Sequence, residues 1–152
     1  MEAGATPVLV HNFNAECELA KLPSRPDHAG PTSGRSTLSD ETIVSGRGSD
    51  PATKATKRSI TDRLWGLGKW DSRADWGDAD HVEMKVVDMM EKQEVDHAEV
   101  VINNEEGPSV KAAPALSCPN TLDSLLGGKT LRVHWRDKDT GEMTSHLFGG
   151  IG

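Results

Sequence analysis

The chain has 152 residues, which suits one domain with a sizeable core and leaves little room for a second fold. Apolar residues make up 35% of it, with 15 glycines and 8 prolines, a composition that favours a loop-rich globular protein over a disordered one. Its apolar runs fall short of the ~20 residues that span a bilayer, so we expect no membrane partner. The start of the chain lacks a signal-peptide pattern, so export would need a larger parent protein or a dedicated machine.

The net charge is −7, which at first argues against a nucleic-acid partner. The charge is uneven, however: between Gly46 and Ala74 there are seven basic and three acidic residues, a local charge of +4. Trp65, Trp70 and Trp76 lie in or just beyond this stretch. Basic side chains among aromatic rings suit a nucleic-acid strand, which needs countercharge and stacking surfaces. The alternative is that the tryptophans pack a helix onto a sheet, with the charges on its solvated face.

The remaining sequence predicts a folded domain over residues 32–152, after a polar lead and linker over residues 1–31. Apolar residues near helical spacing make residues 80–93 the clearest helix, with Asp80 as its N-cap. The predicted order is a hairpin over 34–38 and 42–45, helices over 57–67 and 80–93, a strand over 98–102, a helix over 118–126, and strands over 130–136 and 142–148. This order predicts an α/β fold, a mixed β-sheet flanked by helices.

Two of these predicted helices begin with residue types that commonly bind metal ions in proteins. His81-Val82-Glu83 opens one, and Cys118 opens the other. A His-x-Glu helix start followed by a cysteine-bearing helix start is the layout of a zinc-dependent nucleobase deaminase. Cys17 is the only other cysteine, and two cysteines are too few for a disulfide scaffold. The sequence therefore favours a metal-binding or structural role for the cysteines at least as strongly as a disulfide. Where the layout has its first cysteine, this chain has Ser109.

In order and spacing, these segments resemble the interbacterial DNA-cytosine deaminase toxins (SCP-like deaminases), a branch of the cytidine-deaminase-like fold. The resemblance covers roughly residues 32–150. It rests on the Ser45-Gly46 turn, His81-Val82-Glu83 and its helix, the turn from Val101 to Gly107, Ser117-Cys118 leading to Leu125-Leu126, and the closing strands that contain Leu131 to Val133 and Leu147 to Gly150.

The resemblance implies a C-to-U reaction on DNA, either single- or double-stranded, with zinc as the cofactor. His81 and Cys118 would be zinc ligands together with position 109, and Glu83 would be the general acid and base. It also implies a secreted toxin that acts in the cytoplasm of a target cell, and a cognate immunity protein as a partner. Residues on turns or in the basic stretch are candidates for substrate binding; they are Ser45, Gly46, Asn103, Asn104, Trp65 and Trp70. An Asn-Asn pair at a strand end can instead simply form the turn.

Ser109 departs from the family pattern, because a neutral hydroxyl is a far poorer zinc ligand than a thiolate. Three explanations are open: an engineered inactive form with cysteine at 109 in the active one, natural degeneration, or another group that completes the site. We favour the first. The candidates for the third are His97, His134, His146 and Cys17.

A competing reading places the motif at His97-Ala98-Glu99, which is also a His-x-Glu triplet. We disfavour it, since His97 begins a strand-like run and only about twenty residues separate it from Cys118.

The first residues carry a second resemblance. Residues 3–12, which end in His11-Asn12, look like the last strand of a Hint (intein-like) autoprocessing domain. That resemblance implies cleavage after Asn12 in a longer parent protein. An ordinary apolar segment in an N-terminal extension is the alternative.

Two further function classes fit the sequence. One is a nucleic-acid-binding module that kept the deaminase fold after losing a ligand. The other is a metabolic deaminase of free nucleosides, which would need neither the Hint-like tail nor the basic stretch.

Overall fold

The computed structural model describes residues 13–23, 31–46, 50–70, 79, 81–105 and 118–150, with the backbone alone for residues 118–121. Within these ranges, no helix is both long and apolar enough to cross a bilayer. The elements are α1 (Ala15–Leu19), β1 (Ser33–Ser36), β2 (Ile43–Val44), α2 (Pro51–Gly66), α3 (Val82–Gln93), β3 (His97–Ile102), α4 (Cys118–Leu126), β4 (Thr130–Arg136) and β5 (Met143–Gly149).

The strands form one mixed sheet in the order β2-β1-β3-β4-β5. The pairs β1–β2, β1–β3 and β4–β5 are antiparallel, and β3–β4 is parallel. Parallel neighbours need a crossover connection, and α4 lies in the connection between β3 and β4. The predicted α/β fold with a mixed sheet and flanking helices is confirmed.

Alternation along the inner strands builds the core. Ala98, Val100 and Ile102 of β3 are at most 1% exposed, as are Leu131 and Val133 of β4. Residues two apart on a strand share one face of the sheet, so these five side chains form one apolar surface. Helices α2, α3 and α4 contribute most of the other buried apolar side chains of the same cluster, which include Ile60, Leu64, Val82, Val86, Met90 and Leu122.

Two helix starts differ from the prediction. Helix α2 begins at Pro51, six residues earlier than predicted, because Asp50 caps it by accepting a hydrogen bond from the Ala52 N–H at 3.3 Å. The predicted N-cap of α3, Asp80, is wrong. Asp80 itself lies outside the described residues, and His81 has the extended N-cap conformation, with its carbonyl accepting from the Lys85 N–H at 3.0 Å.

The segment predicted as linker contains α1, which packs against β1, β3 and β4. Glu18 pairs with Arg35 at 2.8 Å, and Glu16 with Arg136 at 3.0 Å. Arg35 pairs in register with Val101 and therefore lies on the opposite sheet face from the core residues Val100 and Ile102. Helix α1 thus covers the second face of the sheet.

Gly34 allows the start of α3 to approach β1 closely. A Cβ on residue 34 would lie 2.6 Å from Val82 Cγ1 and 3.1 Å from the Val101 carbonyl oxygen. Real Cβ atoms essentially never come as close as the first of these distances, so a larger residue must displace the strand or the helix. The position of α3 on the sheet depends on this contact.

We expect Gly34→Ala to lower the free energy of unfolding by about 1–3 kcal/mol, the usual cost of overpacking. Urea unfolding measures it. Gly66→Ala is the matched control, because a Cβ at the end of α2 meets nothing within 4 Å, and it should be neutral or slightly stabilising. Equal losses in the two variants would contradict the close approach.

The docking of α1 should depend on pH. Hydrogen bonds from Arg35 and Lys21 hold the pKa of Glu18 below its ordinary value of 4.5. A carboxyl group whose pKa is lowered in the folded state stabilises that state fully when the pH is above the group's ordinary pKa. This stabilisation is lost as the pH falls through the lowered pKa. We therefore expect Phe13, whose ring lies 5.8 Å from that of His134, to show an NMR transition below pH 4.5.

Glu18→Gln should loosen α1 at neutral pH and remove that acid transition. Asp62→Asn is the control, since Asp62 also has a lowered pKa but pairs with Arg58 on α2. An acid transition that survives Glu18→Gln would show that another group anchors α1.

Candidate functional site

A cavity of about 190 Å³ lies where the end of β3, the start of α3 and the turn after β2 meet. Ligands of α/β sheets commonly bind beyond the carboxyl ends of strands. The cavity brings together four of the residues singled out from the sequence. Its lining consists of Thr32, Ser45, His81, Val82, Glu83, Ile102 and Asn104.

His81 and Glu83 reach the cavity from the first turn of α3. His81 is half-buried at the N-cap, and Glu83, two residues later, is 3% exposed. Val82 between them is fully buried at Gly34, which holds this turn in place. The helix N-terminus carries partial positive charge, and this charge favours a carboxylate at the position of Glu83.

Ser45 lines the cavity from the turn after β2. Its Oγ accepts from the Thr32 N–H at 2.9 Å, and its own N–H donates to the Thr32 carbonyl at 2.8 Å. Gly46 follows with a φ of 78°, a left-handed conformation that favours glycine. Gly46 is not among the lining residues, so its place is in shaping the turn. Thr32, which also lines the cavity, has no local sequence signal and is identified only by its pairing with Ser45.

The neighbouring asparagines Asn103 and Asn104 occupy different places. Asn103 Oδ1 accepts from the Ser33 N–H at 2.8 Å, and its Nδ2 donates to the Pro23 carbonyl at 2.8 Å. Asn103 therefore joins the end of β3 to the start of β1 and to the segment after α1. Asn104 lines the cavity.

The tryptophans predicted to bind substrate do not line the cavity. Trp65 lies near the end of α2 and is 48% exposed, beside the equally exposed Leu67. Trp70 is half-buried against the core cluster, as the packing alternative expects. Trp76 lies outside the described residues. Of the basic residues in this region, those exposed in the described part are Lys54, Arg58 and Lys69.

The predicted metal ligands are only partly described. Cys118 is the first residue of α4, which packs against α3, while its side chain and all of Ser109 lie outside the described residues. Among the described residues, no group of three His, Cys, Asp or Glu side chains could hold a metal ion. His81 and Cys118 are residue types that fit zinc, and a helix N-terminus stabilises a thiolate such as that of Cys118.

The four side chains considered as replacement ligands do not line the cavity. His97 Nδ1 lies 2.7 Å from Thr130 Oγ1, and His146 lies with its ring 4.5 Å from that of Phe148. His134 is 2.7 Å from Glu99, and Cys17 is exposed on α1.

The competing triplet His97-Ala98-Glu99 lies within β3 and not at a helix start. Glu99 Oε1 lies 2.7 Å from His134 Nε2. Ala98 faces the core, so His97 and Glu99 are on the other sheet face, away from the cavity.

Comparisons with known proteins give one match. The model of the family described as SCP1.201-like deaminase matches residues 5–150. No curated protein and no solved structure matches the chain.

The two asparagines should respond differently to truncation. Asn103→Ala leaves the buried Ser33 N–H without its side-chain acceptor, so we expect a loss of about 1–3 kcal/mol in the free energy of unfolding. Asn104→Ala is expected to weaken ligand binding in the cavity, because Asn104 lines it. Urea unfolding measures the loss in Asn103→Ala, and an unchanged free energy of unfolding in that variant would contradict the structural role of Asn103.

Proposed function

Since this chain belongs to the SCP1.201-like deaminase family, we propose that it is a hydrolytic deaminase that converts cytosine to uracil in DNA. The observation that carries the proposal is the cavity that collects Ser45, His81, Glu83 and Asn104 from three separate stretches of the chain. The specificity for cytosine and DNA is supported by the resemblance to DNA-cytosine deaminase toxins.

Glu83 is the proposed general acid and base. A buried carboxylate beside a histidine can take a proton from the attacking water and deliver protons to ring N3 and to the departing amine. The water oxygen first bonds to C4 as ring N3 takes one proton; the exocyclic amine then takes the second proton, the bond from C4 to that amine breaks, and ammonia leaves as the C4 carbonyl forms. The first turn of α3 keeps Glu83 in a fixed position for both transfers.

His81 and Cys118 would hold zinc, with position 109 as the third ligand. A zinc ion bound there supplies Lewis acidity, which lowers the pKa of water towards ~7. Of these three residues, Ser109 would bind zinc most weakly, because its hydroxyl retains its proton near neutral pH.

Ser45 and Asn104 would bind the base. Ser45 Oγ accepts from Thr32 and still has its own proton to donate. The Asn104 amide has both donors and acceptors, which suits the Watson–Crick edge of a pyrimidine. Val82 and Ile102 also line the cavity and would be its apolar contacts with the ring.

Helix α2 would contact the DNA strand. It carries exposed Lys54 and Arg58, with Trp65 on the same side three turns from Lys54. Arg58 is partly neutralised by Asp62. Exposed cations next to an exposed ring suit phosphate and base contacts together.

The wider biological role extends the same proposal. We propose a toxin domain that acts in the cytoplasm of a target cell and is neutralised by an immunity protein. The Hint-like residues 3–12, which lie outside the described residues, support release from a longer parent protein.

A second candidate function is a non-catalytic nucleic-acid-binding module, and Ser109 favours it. A deaminase that lost one ligand could keep its base-binding cavity and its basic helix. It would bind DNA without zinc and form no uracil.

Uracil formation on single- and double-stranded DNA, with deoxycytidine as a third substrate, distinguishes these functions. We expect Ser109→Cys to raise bound zinc towards one per chain and to raise activity on DNA above that on the nucleoside. Adding Glu83→Gln should then lower the rate by about 10²–10⁴-fold, the usual range for loss of a general acid–base group.

Ser39→Cys is the control for an added cysteine and should change neither zinc content nor activity. The catalytic proposal is wrong if Ser109→Cys leaves both unchanged. DNA binding without uracil in every form would favour the second function, and faster turnover of deoxycytidine would favour a metabolic deaminase.

A further inference from the structure

Lys85 connects α3 to the turn after β2, whose Ser45 lines the cavity. Its Nζ donates to the Val44 carbonyl at 2.6 Å, the Gly46 carbonyl at 3.2 Å and Thr53 Oγ1 at 3.2 Å. An ammonium has three N–H donors, so these oxygens are enough to occupy all of them. Hydrogen bonds from a charged donor are the stronger kind.

The two carbonyls lie on either side of Ser45. Ser45 lines the cavity, and the backbone on both sides of it is therefore tied to a side chain of α3. Lys85 is one turn after His81, on the helix that also carries Glu83. One side chain thus links the predicted base-binding wall to the helix with the predicted catalytic groups.

Thr53 brings α2 into the same arrangement. It is 4% exposed in the first turn of α2, and its hydroxyl is the third acceptor. A second cavity of about 410 Å³ borders Lys85 and is also lined by Thr53, Thr56 and Met89. Since the Lys85 ammonium is bound by three protein oxygens, we assign it a structural role at the border of this second cavity.

We propose that Lys85 is a positioning residue that sets the distance between Ser45, in the cavity wall, and the His81–Glu83 turn. The proposal deepens the deaminase function proposed above and rests on it for its kinetic consequence. Its structural consequence can be measured without any activity.

Amide hydrogen exchange tests the structural consequence on the chain as it stands. In Lys85→Met, which keeps an unbranched side chain one atom shorter and removes the donors, we expect exchange at the Ser45 and Thr32 amides to rise by about tenfold relative to Val133 in the inner strand β4. Lys85→Arg should restore most of the protection. Thr53→Val, which removes one acceptor only, should give a smaller local rise.

Two exchange results would overturn the proposal. Unchanged exchange at Ser45 and Thr32 in Lys85→Met would mean that the turn holds its shape alone. An equal rise at Val133 would mean that Lys85 supports the whole fold and not this wall.

Kinetics in the Ser109→Cys background test the functional consequence. Lys85→Met should raise KM by about tenfold and leave kcat within about threefold, since the wall binds the base while Glu83 stays on its helix. Lys85→Arg should give an intermediate KM. A fall in kcat with KM unchanged would overturn the positioning role. If exchange responds locally but no form deaminates DNA, the deaminase function fails and the role of Lys85 in the cavity wall stands.

Discussion

The close approach of α3 to β1 is the contact on which the site depends. Val82 is fully buried where Gly34 has no side chain. A helix turns by a fixed angle at each residue, so once Val82 points at the sheet, the direction of Glu83 follows, and His81 is the N-cap residue directly before Val82. Both then reach the end of β3, where the sheet leaves room for a cavity. Val82, which has no role in the proposed reaction, thus positions His81 and Glu83, the two residues proposed to act in it.

Local sequence patterns predicted the elements whose bounds are marked by nearby residues. Strand β4 has the predicted bounds, and α4 ends at Leu126 as predicted, just before Gly127 with its φ of 58°. Residues 51–56 contain no large apolar side chain, so periodicity alone misses the first turns of α2, although Asp50-Pro51 is a capping signal. Helix α1 has five residues and is held by Arg35 and Arg136, partners that no local pattern can show.

The site followed the same rule. Ser45, His81, Glu83 and Asn104 could be singled out because each belongs to a short motif or turn, and the cavity collects them. The sequence does not distinguish Asn103 from Asn104, because the partner that separates them, Ser33, is 70 residues away. In the sequence, Lys85 is indistinguishable from other charged residues on the surface of a helix. Its carbonyl partners are 39 and 41 residues away, and a backbone carbonyl leaves no mark in the residue types of the sequence. Long-range backbone acceptors are what sequence reasoning missed here.

Two acidic residues are buried on α3, and their surroundings differ. Asp88 is 2% exposed, and its Oδ2 pairs with Lys92 on α3 at 2.8 Å and with Thr56 on α2 at 3.3 Å. Glu83 is as deeply buried but lines a cavity, next to His81 and at the positive end of the helix. Burial of a carboxylate is costly. A surface that only bound phosphates would gain nothing from a carboxylate in its base-binding cavity. A proton-transfer site, in contrast, requires a group such as this carboxylate. The position of Glu83 therefore favours a catalytic role for the cavity over a role in binding alone.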